Sequence, residues 1–113
     1  MKEANFRLVQ LFDCYAPLLT DKQRECFDLY YNQDFSLSEI AEECGISRQG
    51  VHDTLQRTES ALQELEDKLG TAAREEQLQA VAARLAPIAE LLRVSAPDAF
   101  RELQSIIDLL EKE

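Results

Sequence analysis

Arg48, Gln49, His52, Asp53, Gln56 and Arg57 crowd one short stretch of the chain and share the outward side of one helix. Arginine and glutamine have the donor and acceptor geometry for bidentate contacts to guanine and adenine edges. The same polar groups would also serve as docking points for a protein or RNA partner. Asp53 works against phosphate, and Glu59, Glu64, Glu66 and Asp67 make the far half of that helix acidic. No catalytic chemistry suggests itself. His52 has no Ser, Asp or Cys partner at a spacing that would make it a general base. Cys14, Cys26 and Cys44 with His52 would be a zinc set in number only, because no close Cys pair exists. The three thiols read instead as small buried hydrophobes. No Gly-rich phosphate loop and no metal-binding carboxylate motif occurs. No catalytic residue, cofactor or metal is therefore expected.

The elements that must position these side chains are legible around them. Ser36 is an N-cap with Glu39 three residues on, which makes a capping box. Ile40, Ala41 and Cys44 follow at helical spacing. Gly45 then allows a turn at positive φ. Ser47 caps a second helix whose buried side starts with Val51 and Leu55. Helix, glycine-containing turn, helix is the unit that delivers its second helix to the major groove.

Earlier in the chain, residues 5–15 read as a helix with the apolar stripe Leu8, Leu11, Phe12 and Tyr15, ended by Pro17. Thr20 caps the next helix, with Gln23 completing a second capping box. Cys26, Phe27 and Tyr30 would be buried there, with Tyr31 partly so, and Phe35 and Leu37 plug into the core. Past the groove-reading stretch, Val51, Leu55, Thr58, Leu62, Leu65 and Leu69 keep a heptad spacing. Gly70 and Thr71 break it. A fifth helix carries Leu78, Val81, Leu85, Ile88 and Leu92, and Pro87 should kink or break it near Leu85. Ser95 starts the last helix, with Pro97 in its first turn and Asp98 at the capping-box position; Phe100, Leu103, Ile107 and Leu110 form its stripe. This predicts an all-α chain. Residues 1–69 form a helix-turn-helix domain of four helices, the last one long, and residues 70–113 form a C-terminal helical hairpin extension. Leu62, Leu65, Leu69, Leu78, Leu85 and Leu92 are a candidate oligomer seam, in a homodimer or folded back within one chain.

Composition bounds the partners. The chain has 113 residues and a net charge of −10. Residues 1–70 hold 7 basic against 14 acidic side chains and residues 71–113 hold 5 against 8, so neither part is a basic arm. DNA affinity rests on Lys and Arg neutralising phosphates, so this balance weighs against DNA and towards a basic partner. No apolar run reaches membrane-span length. Lys2 and Glu3 lead into an amphipathic segment rather than a signal peptide, which points to a cytoplasmic protein without membrane contact.

Leu18-Leu-Thr-Asp-Lys-Gln-Arg24, Leu29-Tyr-Tyr31, Asp34-Phe-Ser-Leu-Ser-Glu-Ile-Ala-Glu-Glu43, Ile46-Ser-Arg-Gln-Gly-Val51 and Arg57-Thr-Glu59 resemble the YlxM family, small bacterial helix-turn-helix proteins encoded beside signal recognition particle genes. The same stretch is similar to region 4 of bacterial sigma factors, through Leu19-Thr-x-x-Gln-Arg24 and the Ile40-Ala41, Gly45-Ile-Ser47, Val51, Leu55 spacing. The resemblance extends from Phe6 to Leu69. It implies a sigma-region-4-like helix-turn-helix with a C-terminal helical extension, acting in or regulating the signal recognition particle pathway. Partners would be the particle's GTPase, its receptor or its RNA. The sigma likeness implies DNA binding instead, with Arg48, Gln49, His52 and Gln56 on bases and Arg57, Lys22 or Arg24 on phosphates. The acidic run from Gln56 to Glu66 departs from the Lys- and Arg-rich recognition helix of region 4.

Overall fold

Six α-helices and no strand make up the computed structural model, which describes residues 5–112. Lys2 and Glu3 lie outside the described residues. The helices are α1 (Phe6–Tyr15), α2 (Asp21–Phe27), α3 (Leu37–Cys44), α4 (Arg48–Leu69), α5 (Thr71–Leu92) and α6 (Pro97–Glu111). The chain divides between Ala72 and Ala73 into two compact units.

Local chemistry sets most of the boundaries in the first unit. Asn5 caps α1 through its side chain to the Leu8 amide at 3.1 Å. Thr20 caps α2 and Ser36 caps α3, each in a reciprocal capping box with Gln23 and Glu39. Ser47 caps α4, accepting from the Gly50 amide at 2.9 Å. Such a cap satisfies an amide that the helix itself leaves without a partner. Gly45 at φ +69° and Gly70 at φ +65° end α3 and α4 in the left-handed region that glycine enters without penalty.

Two features were not foreseen. A 3-10 turn at Ala16–Leu18 joins α1 to α2, and Arg24 fastens it by donating to the carbonyls of Leu19 at 2.6 Å and Ala16 at 3.2 Å. After α2 the backbone widens into a π turn at Asp28–Asn32. The Asp28 carboxylate accepts from Asn32 and Gln33, which closes that turn before Asp34 at φ +59°.

Helix α4 is the axis of the first unit. Val51 and Leu55 pack with Cys26, Leu29 and Ile40, while Leu62 packs with Leu11, Tyr15, Leu19, Phe27 and Ala72. Thr58 lies fully buried between the two groups and donates its hydroxyl to the Thr54 carbonyl at 2.7 Å. Phe27 stacks on Phe12 at 4.4 Å between ring centroids and meets Tyr31 at 4.5 Å. Each fully buried large apolar side chain of this kind contributes about 1.5–3 kcal/mol. These groups together outweigh any single cap, which is worth about 1 kcal/mol.

The seam expected along α4 shifts in the structure. The buried line runs Val51, Leu55, Thr58, Leu62, Glu66, and leaves Leu69 exposed. A helix of 3.6 residues per turn drifts about 20° per heptad, so the interior line moves from Leu65 to Glu66. Leu62 is fully buried and Leu65, half-buried, packs against the same cluster.

In the second unit α5 runs unbroken through Pro87. The lost hydrogen bond and ring clash cost about 3 kcal/mol. Packing of Ala82, Leu85 and Ala89 against Phe100, Leu103 and Ile107 offsets that cost and holds the helix on both sides of the proline. The buried face of α5 is therefore alanine-rich, because small side chains let α6 approach closely. Leu85 is spent inside this unit and Leu92 is half-buried, whereas Leu78, Val81 and Ile88 stay exposed. Helix α6 starts one residue later than expected. Its N-cap is Ala96, and neither Ser95 nor Asp98 makes a capping hydrogen bond. Pro97 disfavours helical backbone in the residue before it, and Ala96 stands at φ −145° and ψ 73°, which puts the boundary there, and Asp98 pairs with Arg101 instead. The stripe of α6 is Phe100, Leu103, Ile107 and Leu110, as its spacing requires.

Candidate partner-binding face of the helix-turn-helix

The turn between α3 and α4 aims the candidate residues. The amides of Gly45 and Ile46 both return to the Ala41 carbonyl, the latter at 3.1 Å. Ile46 packs against the Cys26–Ile40 group. A backbone lock and an apolar anchor thus fix the path by which Ser47 starts α4.

On α4, Arg48, Gln49, His52, Asp53, Gln56 and Arg57 are all exposed. They are not one uniform row. At about 100° per residue, Asp53 faces most directly away from Val51 and Leu55, with Gln49 and Arg57 on either side of it. Gln56, His52 and Arg48 lie progressively further round one flank. Asp53 accepts from the Gln49 side chain at 3.0 Å, and the His52 Nδ1 stands 3.7 Å from its carboxylate. The negative charge at the centre of the face is thus held by its own neighbours. Arg48 and Arg57 make no ion pair among the described residues.

Arg57 lines a cleft of about 220 Å³ with Thr54 of α4, Lys22 and Gln23 of α2, and Thr20. Lys22 is likewise without an ion pair among the described residues. Arg24 is not available to this face, since it pairs with Asp21 and holds the Ala16–Leu18 turn. On the α3 side, Glu42 and Glu43 are exposed.

The acidic far half of α4 is not plain surface. Glu59 is half-buried and accepts from the Tyr31 hydroxyl at 2.7 Å. Burial, and then that bond to Glu59, raise the Tyr31 hydroxyl well above its ordinary range. Glu66 is buried. It accepts from the Tyr15 hydroxyl at 2.5 Å and the Ala72 amide at 3.0 Å, with Arg7 3.6 Å away. The Tyr15 oxygen accepts in turn from the Thr71 amide at 3.0 Å. Glu66 and Tyr15 thus stand in for the N-cap of α5. The signal was in the spacing: Leu55, Glu59, Leu62 and Glu66 alternate at steps of four, three and four on the interior line.

The thiols form no metal set, and no group of three or more His, Cys, Asp or Glu able to hold an ion occurs among the described residues. Cys44 donates to Glu25 at 3.1 Å and hydrogen-bonds Cys26. Burial, and then the bond to Glu25, push the Cys44 thiol up to about 12, and burial also raises Cys26. Both are poor nucleophiles and poor ligands in this state.

With that geometry in place, similarity identifies the chain. The family described as "Putative helix-turn-helix protein, YlxM / p13 like" matches residues 2–93. The chain belongs to that family. A UPF0122 protein of Thermoanaerobacter sp. strain X514 is 44% identical over 103 residues, covering 91% of this chain and 86% of the relative. One from Bacillus mycoides is 40% identical over 112 residues, covering 99% of this chain and 98% of its own. One from Lacticaseibacillus casei is 54% identical over 67 residues, 59% of each chain. No helix among the described residues is long and apolar enough to cross a membrane.

Proposed function

We propose that this YlxM-family chain is a non-catalytic, cytoplasmic regulatory or accessory protein of the signal recognition particle pathway that acts by binding through its helix-turn-helix unit. The carrying observation is the charge arrangement. The first unit has twice as many acidic as basic side chains, and Arg7, Arg24 and Lys68 are already paired with Glu66, Asp21 and Glu64. An acidic surface with a rigid helix pair suits a basic partner, such as the RNA-binding, methionine-rich part of the particle's GTPase. Its receptor or its RNA are the other candidates. Complementary charge speeds such encounters and makes them sensitive to salt. The test is a titration of the purified chain against that GTPase by fluorescence anisotropy from about 50 to 300 mM salt. Saturable binding that weakens steeply is expected. No binding at the lowest salt overturns the reading.

A second reading, a sequence-specific DNA-binding regulator, is favoured by one observation: Lys22, Arg48 and Arg57, the unpaired described cations of this unit, all lie along α4 or across the cleft from it. The exposed Leu78, Val81 and Ile88 favour self-association of the second unit as a homodimer under either reading.

A further inference from the structure

The second unit, Ala73–Glu113, has little interior of its own. A unit of about 40 residues usually needs a disulfide, a metal or a partner subunit to complete its core. The cysteines Cys14, Cys26 and Cys44 all belong to the first unit. Among the described residues of the second unit only Ala82, Ala89 and Ile107 are buried, and two of those side chains are single methyl groups. Both helices meanwhile leave apolar side chains in water. Leu78, Val81 and Ile88 of α5, with Ile106 and Leu109 of α6, are between 39% and 68% exposed. These five share one side of the hairpin. The helices run antiparallel, since Leu78 and Gln79 near the start of α5 line a pocket with Leu110 and Lys112 at the end of α6. At about 100° per residue, Val81 and Ile88 stand about 90–110° round α5 from the Ala82–Ala89 line, and Leu78 about 30°. Ile106 stands about 100° round α6 from Ile107 in the same rotational sense, and Leu109 about 160°. On two facing antiparallel helices, equal turns in one sense lead to the same side. The hairpin therefore carries an apolar layer open on one side, as half of a four-helix bundle does.

Charge names the occupant. Arg84 of α5 and Glu102 of α6 are exposed and flank that side, about 150° and 140° round from the inner lines in the same sense. Neither makes an ion pair among the described residues. A second hairpin laid on the first, with α5 on the partner's α6, brings each arginine to the other copy's glutamate. With Leu78 beside Leu110, the two charges stand about one turn or less apart along the bundle. Laying α5 on α5 instead sets arginine against arginine and Glu102 against Glu102. A partner of a single charge sign would satisfy one of the two groups and repel the other. The face is thus complementary to itself in one orientation, as an isologous interface requires. We propose that the α5–α6 hairpin packs on that of a second copy as an antiparallel four-helix bundle, with Arg84–Glu102 pairs related by a two-fold axis parallel to the helices. The inference rests on the homodimer reading above and deepens it by naming the interface and its orientation.

The experiment is sedimentation equilibrium of the full chain across a concentration series. The variants are Arg84→Glu, Glu102→Arg, an equimolar mixture of those two, and Val81→Glu with Ile106→Glu. All replaced side chains are exposed. Wild type should show a monomer–dimer equilibrium. Each single charge variant sets like charges together at both symmetry-related pairs and should weaken dimerisation about tenfold. The mixture should restore association to the wild-type level, because each variant then meets the opposite charge on the other. Val81→Glu with Ile106→Glu should remain monomeric throughout. A wild type that is monomeric throughout overturns the homodimer reading itself. A dimer that survives Val81→Glu with Ile106→Glu overturns the interface. A dimer that ignores the single charge variants, or single variants that stay weak when mixed, overturns the orientation and leaves the homodimer reading standing.

Discussion

Tyr15→Phe removes one oxygen and nothing else, which makes it a clean probe of the buried contact that joins α1, α4 and the start of α5. The ring is 2% exposed and packs with Leu11, Leu19, Phe27 and Leu62, so phenylalanine fills the same space and no cavity forms. The hydroxyl makes two bonds: it donates to Glu66 at 2.5 Å and accepts from the Thr71 amide at 3.0 Å. A hydrogen bond to a carboxylate is worth about 1.5–3 kcal/mol net. The second bond adds little, since Thr71 is exposed and water can take its amide. Glu66 keeps the Ala72 amide and Arg7 as partners. The expected loss is therefore about 2 kcal/mol, or roughly 10 °C in Tm for a chain of this size. Glu66→Ala should cost more, about 3–5 kcal/mol, because it strands both the Tyr15 hydroxyl and the Ala72 amide. Urea unfolding followed by far-UV circular dichroism reads both. The double variant should show a coupling of at least about 1 kcal/mol, since either change alone already breaks the shared bond. A Tyr15→Phe loss under about 0.5 kcal/mol, or strict additivity with Glu66→Ala, would show that the network does not stabilise the fold.

Other outcomes follow from single features of the structure. Gly45→Ala should cost about 1–2 kcal/mol in urea unfolding, wholly from its φ of +69°, because a Cβ there meets nothing within 4 Å; a neutral result would mean the α3–α4 turn relaxes freely. Pro87→Ala should stabilise the second unit by up to about 3 kcal/mol in urea unfolding, since α5 already continues through that position; destabilisation would show that the proline is required there. Cys44 carries a folded value pushed up to about 12 from an ordinary 9.0, so its contribution is complete below pH 9 and is lost as pH rises towards 12. Cys44→Ala should flatten stability across that window, and iodoacetamide should label the folded wild type slowly at pH 8.5; fast labelling would contradict a protonated thiol held by Glu25. On the DNA reading, Arg48→Ala should lower affinity for a preferred duplex by about 1–3 kcal/mol, and unchanged binding would remove Arg48 from base contact.

The first unit was legible in the sequence wherever the deciding interaction is local. Thr20-x-x-Gln23, Ser36-x-x-Glu39 and Ser47 determine where α2, α3 and α4 start, because each cap is satisfied within four residues. Gly45 and Gly70 determine where α3 and α4 stop, because positive φ is cheap only for glycine. The outward placement of Arg48 to Arg57 follows from helical period alone. What needed tertiary structure were the choices between side chains of similar local standing. Arg24 and Lys22 are both cations near the same face, and only the Ala16–Leu18 turn decides that Arg24 is spent on carbonyls while Lys22 is left to the cleft. Spacing puts Glu59 and Glu66 on the inner side of α4, but only the arrival of Tyr31 and Tyr15 from other parts of the chain decides that both are hydrogen-bonded there. Pro87 is a local reason to break α5, overridden by burial of Ala82, Leu85 and Ala89 against α6. The alanine face of α5 was hidden behind a stronger leucine pattern, because hydrophobic spacing reports which side chains are apolar, whereas the distance between two packed helices selects the ones small enough to lie between them.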